Sequence, residues 1–97
     1  MTENEKKTIL DTYALSLRLA ASDAKGQPVA LMTPEQTAEV EACIKAAIGR
    51  MTPLERFALQ GRLDGLSGKE MAGISGYNRL TIYQALNSAI QKINFES

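Results

Sequence analysis

With 97 residues, one cysteine, no histidine and eleven cations balanced by eleven anions, the chain is long enough for one core and too short for two ordinary domains. The missing histidine removes the commonest general base and metal ligand, and the carboxylates show no ligand spacing such as H-E-x-x-H, so no enzyme, metal site or cofactor is expected. A single cysteine excludes an internal disulfide, and neither a leader-like stretch nor a long apolar run is present, which gives a cytoplasmic expectation without a membrane partner.

Thr2 and Glu5 offer a capping box for a first helix, in which Leu10, Tyr13, Ala14, Leu17 and Ala21 form a stripe widened by Ile9, Leu15 and Leu19. The stripe has two uses: it wraps the core of the rest of the chain, or Ile9, Leu15 or Leu19 face a second subunit. Residues 1–21 are therefore the first candidate for a dimer surface, and the Tyr83 and Ile90 side of the last helix is the second. From Ser22 to Met32 the sequence is a connector, with Gly26 and Pro28 breaking the helix. A lone glycine beside Lys25 is far from G-x-x-x-x-G-K-[ST], so no nucleotide site is expected.

Thr33, Pro34 and Gln36 start a second helix, the threonine as cap, the proline where its missing N–H costs nothing and the glutamine closing the box. Val40, Ile44, Ala47, Ile48 and Met51 line one face of it. Glu35, Glu39, Glu41 and Lys45 form the opposite, solvated face, which would repel DNA. Cys43 packs as a small apolar residue beside Val40 and Ile44, or serves as a regulatory thiol. The same start device recurs at Thr52-Pro53-Leu54-Glu55, with Leu54, Phe57, Ala58 and Leu63 behind it and Gly65 as the stop. Gly61 in mid-helix costs about 1 kcal/mol relative to alanine, so a second backbone is expected close by, with the first helix as the candidate.

The stretch Leu66 to Ile93 reads as two short helices joined by a glycine turn. Ser67 and Glu70 form a capping box, Leu66 and Met71 have the spacing of a hydrophobic staple, and Gly76 supplies the left-handed stop. Asn78 caps the next helix, with Tyr77 and Ile82 at the stapling distance. Ile82, Leu86, Ala89 and Ile93 commit one face to the core, which leaves Arg79, Thr81, Gln84 and Asn87 largely elsewhere. About five helices and no strand pattern make an all-α chain, read as one domain over 1–97, with 1–49 as N-terminal helices for dimerisation and 50–97 as the glycine-turn half. The charge is divided unevenly: five Lys/Arg against seven Asp/Glu in 1–49, and six against four in 50–97.

Asp64-Gly65-Leu66-Ser67, Lys69-Glu70-Met71-Ala72, Gly76, Thr81-Ile82 and Leu86 together resemble region 4 of bacterial sigma factors, and are similar to the DNA-binding domain of quorum-sensing-type response regulators. The likeness runs from about Thr52 to Ile93. It implies a helix-turn-helix in which Ala72 lies where the two helices cross and Asn78, Arg79, Thr81, Tyr83 and Gln84 open the recognition helix. The expected function is sequence-specific binding of double-stranded DNA by a transcriptional regulator, as a homodimer, as in small phage and plasmid proteins. Arg79, Thr81, Tyr83, Gln84 and Asn87 would face the major groove, with Gln84 shaped for adenine and Arg79 for guanine, and Lys69, Arg56 and Arg62 would hold phosphates. Tyr83 has packing as its other use. The alternative is an adaptor of the same fold that docks on RNA polymerase or another regulator, which zero net charge would suit.

Overall fold

A computed structural model of the chain describes residues 1–22 and 32–95, apart from the side chains of 19–22. Five helices follow one another: α1 (Glu3–Ser22), α2 (Pro34–Ile48), α3 (Pro53–Leu63), α4 (Gly68–Ser75) and α5 (Arg79–Lys92). There is no strand among the described residues, so the all-α class holds. The connector at 23–31 and the side chains of Leu19 and Ala21 lie outside the described residues.

Every helix begins where a side chain satisfies its first free N–H groups. Thr2 and Glu5 exchange hydrogen bonds before α1, and complete capping boxes precede α2 (Thr33, Gln36), α3 (Thr52, Glu55) and α4 (Ser67, Glu70). Asn78 caps α5 by accepting from the Thr81 N–H at 2.8 Å. Gly65 and Gly76 adopt positive φ of 85° and 80° after α3 and α4, a conformation glycine takes without clash, and this lets the chain turn sharply twice within twelve residues.

All five helices share one core. Leu10 and Tyr13 of α1, Val40, Ile44 and Ala47 of α2, then Met51, Ala58 and Leu59, Met71 of α4, and Ile82, Ala85, Leu86, Ala89, Ile90 and Ile93 are buried together. Each large apolar side chain among them contributes roughly 1.5–3 kcal/mol by leaving water. Of the expected stripe on α1, Leu10, Tyr13 and Ala14 wrap this core, Ile9 packs at its edge, and Leu15 and Leu17 remain 42% exposed. Ile48 is also exposed, since it stands one residue past Ala47 at the outer rim of α2. In α3, Ala58 is buried as expected and Leu54, Phe57 and Leu63 are half-buried. The deeper positions are Leu59 and Glu55.

Two expectations are corrected. Among the described residues, side chains and not a second backbone lie nearest Gly61: its open Cα faces the Met71 side chain, whose Cγ would stand 2.9 Å from an added Cβ, and α4 rather than α1 is the neighbour that needs the space. Ile90 is 1% exposed, so the Tyr83 and Ile90 side of α5 offers no continuous outer surface.

The most extensive helix pairing, α3 with α5, is pinned by Glu55. One oxygen accepts from the Thr52 N–H at 2.7 Å and from the Lys92 ammonium at 2.6 Å; the other accepts from the Ser88 hydroxyl. Lys92 also donates to the Arg50 carbonyl, and Arg50 to the Lys92 carbonyl, each at 3.0 Å. The Lys92 ammonium first, then the Ser88 hydroxyl and the Thr52 N–H, hold the Glu55 carboxyl down from its usual 4.5 to about 2.

Because the folded value lies below the unfolded one, Glu55 stabilises the protein fully above about pH 4.5, and this stabilisation disappears as pH falls from there towards 2. Glu55→Gln keeps one acceptor for the Thr52 N–H, as Gln36 does before α2, but loses the charge and the second acceptor that face Lys92 and Ser88, and should cost about 2 kcal/mol at pH 7. Urea unfolding of parent and variant should show that difference narrowing steadily below pH 4.5; a constant difference down to pH 2.5 would place the effect in packing instead.

Candidate functional site

The α4 helix, the turn Gly76-Tyr77-Asn78 and the start of α5 present the residues singled out by sequence, and each has a distinct setting. Arg79, the first residue of α5, is exposed. Asn78 uses its side-chain oxygen on the Thr81 N–H, so it builds the helix rather than reaching outward through that atom. Thr81 is half-buried at the edge of the core face. Tyr83 turns sideways: its ring lies over buried Gly68, where an added Cβ would meet the phenol and stand 3.0 Å from Cε1. The packing use of Tyr83 is therefore the one seen, although its outer edge stays in solvent.

The outward line of α5 follows from helical spacing. Ile82, Leu86, Ala89 and Ile93 are buried, so the opposite side carries Leu80, Gln84, Asn87 and Gln91, at steps of four, three and four. Gln84 and Gln91 are exposed, Asn87 is half-buried, and Leu80 is 66% exposed. Leu80 is not among the residues the sequence singles out, because the candidates on that side of α5 are chosen as polar or cationic side chains able to meet a base edge or a phosphate. The available signal was its place four residues before Gln84, on the far side of the helix from Leu86. Ile74 and Tyr77 at the turn are also exposed, at 65% and 52%, so the staple expected between Tyr77 and Ile82 leaves about half of the tyrosine in water.

The cations sort themselves by partner. Lys25 lies outside the described residues; of the ten others, seven are engaged. Lys6 donates to the Gln91 carbonyl, Arg50 to that of Lys92 and Arg18 to that of Leu63, while Lys7, Lys45, Arg62 and Lys92 meet carboxylates. Arg56, Lys69 and Arg79 are the three that hold no partner among the described residues.

Arg62, expected to hold a phosphate, instead grips Asp11 through Nε and Nη2, both at 2.9 Å, and so ties α3 to α1. That bidentate bond is the first cause of its raised pKa. Arg56 is free but misplaced. It stands five residues before Gly61, about 140° around α3 from the side that meets α4. Only Lys69 and Arg79 of the expected phosphate and base contacts are both cationic and free on α4 and α5. The acid between them, Glu70, is held by its capping box, and Lys92 is held by Glu55.

No group of three or more acidic or cysteine side chains that could hold a metal ion occurs among the described residues, and no described helix is long and apolar enough to cross a membrane. Cys43 is a half-buried free thiol packed against the core near Val40 and Ile44.

Comparison with known proteins finds no matching family model, no matching curated protein and no matching solved structure. The likeness to sigma region 4 rests on its own residues.

If Asn78 serves the helix start, Asn78→Ala should lower stability by about 1 kcal/mol, and Asn78→Ser, which keeps an oxygen acceptor, should lose only a few tenths. Denaturant midpoints of the three proteins check this; equal losses for serine and alanine would remove the cap from the account.

Proposed function

We propose that the chain is a DNA-binding regulator of transcription in which α4 and α5 act as a helix-turn-helix, with the start of α5 in the major groove. What supports this most is the placement of Lys69 and Arg79. Both are exposed and without a partner at the starts of α4 and α5, whereas most other described cations are engaged within the fold. A cation that meets no carboxylate is available to displace counterions from phosphate. Lys69 holds the backbone; Arg79 takes a phosphate or a guanine edge; Gln84 is the adenine reader on the outward line. Asn87 extends that line, while Thr81 and Tyr83 frame it.

Two such cations per chain give modest affinity, and a homodimer doubles them. Leu15 and Leu17 of α1 are exposed on different sides of the helix, about 200° apart, and each is available for subunit contact. Leu10, Tyr13 and Ala14 of the same helix are part of the core, so removing α1 would damage the fold along with any interface. The selective test is Leu15→Ser with Leu17→Ser, which should convert dimers to monomers in sedimentation equilibrium while helix content stays; an unchanged mass for this variant would move the interface elsewhere.

The rival role, docking on RNA polymerase or another regulator, draws support from Ile74 and Tyr77, whose exposure at the turn is unusual for a purely phosphate-facing surface. Salt separates the two. DNA affinity should fall with a log–log slope of about −2 for a monomer and about −4 for a dimer. Lys69→Ala and Arg79→Ala should each flatten it by about 0.9 per chain, whereas Arg62→Ala should lower stability and leave the slope alone. Association with DNA that is absent, or indifferent to salt, would discard the DNA role in favour of protein docking.

A further inference from the structure

We propose that the outward line of α5 selects A·T base pairs, with Leu80 against the methyl group of thymine and Gln84 on N6 and N7 of adenine. This rests on the DNA-binding role above and specifies what the same surface reads. The line holds Leu80, Gln84, Asn87 and Gln91, and no charge. A guanine edge in the major groove is matched by Arg or Lys, and the cytosine amino group by Asp or Glu. The line has none of these. Arg79, one residue before Leu80, is turned about 100° around the helix from it and sits at the rim.

What the line does hold matches the other two bases. An apolar side chain suits the thymine methyl, and a carboxamide donates to N7 and accepts from N6 of adenine. Leu80 and Gln84 lie one turn apart, about 6 Å along the axis and about 40° around it. Base pairs are stacked about 3.4 Å apart, so the two side chains fall on pairs one or two steps from each other. Leu80, 66% exposed, is free to lose water against a methyl group, whereas Tyr83 is already turned onto Gly68.

The test selects binding sites for the whole chain from random duplexes at moderate salt, then replaces each thymine of the enriched site by deoxyuridine, which removes the methyl and nothing else. A site with A·T pairs one or two steps apart is expected, with one thymine whose replacement weakens binding about fourfold, the worth of one buried methyl group. Leu80→Ala should bind that site with the same salt slope and no longer distinguish thymine from deoxyuridine. An enriched site of G·C pairs, indifference to every replacement, or a Leu80→Ala variant as methyl-sensitive as the parent would each overturn this assignment while leaving DNA binding intact. Absence of any salt-dependent DNA binding would overturn the DNA role itself, and this assignment with it.

Discussion

One carboxylate, Glu55, determines how the two longest-range parts of the C-terminal half meet. It is 4% exposed, and a buried anion is tolerable only when its lone pairs are filled. Here they are filled from two directions: the Thr52 N–H at the start of α3, and Ser88 with Lys92 near the end of α5. The same group therefore starts one helix and fixes the tilt of another. With its C-terminal part held in this way, α5 leaves Arg79, Leu80 and Gln84 at the opposite, outer end. Lys92 extends the clasp to the turn before α3 by reaching the Arg50 carbonyl.

Charge in this protein is used mostly inward. The last carbonyls of α5, negative by the alignment of its peptide dipoles, receive Lys6 and Arg50, from the first helix and from the turn after the second. Asp11 and Arg62 join α1 to α3. These partly exposed pairs each contribute little on their own, on the order of 1 kcal/mol or less, but they orient α1 and α5 on a core whose apolar contacts have no direction. They also leave few cations facing outward. On the proposed DNA-binding role, a neutral chain with Lys69 and Arg79 free on α4 and α5 would discriminate by shape and by base edge more readily than it would bind by bulk electrostatics.

At eight residues, α4 is too short to persist alone, and its place is set by two glycines that belong to different ends of the problem. Gly61 makes room on α3 for Met71, which is 1% exposed. Gly68 makes room on α4 for the ring of Tyr83 from α5. The short helix is thus held between its neighbours by missing side chains as much as by present ones. The helix start that carries Lys69 inherits its position from both.

Helix starts and stops were legible in the sequence because they are local: Thr33 with Gln36, Thr52 with Glu55, Ser67 with Glu70, Asn78, and the stops at Gly65 and Gly76 act over three or four residues, a range within which spacing alone determines geometry. The buried face of α5 was legible for the same reason, since periodicity places Ile82, Leu86 and Ala89 on one side, and Met71 of α4 was marked by its staple spacing from Leu66. What lay beyond reach depends on residues distant in the chain. Nothing local announces that Glu55 meets Lys92 thirty-seven positions on, that Arg62 is taken by Asp11 fifty-one positions back, or that Gly61 yields to Met71 rather than to α1. The candidate surface shows the same division. Its position at the start of α5 followed from the cap and the glycine turn, whereas its composition did not: Arg62 left it, Tyr83 turned aside and Leu80 joined it. The first two changes are set by which side chain another helix reaches first, and only the packed structure decides that, whereas the outward place of Leu80 follows from helical spacing alone.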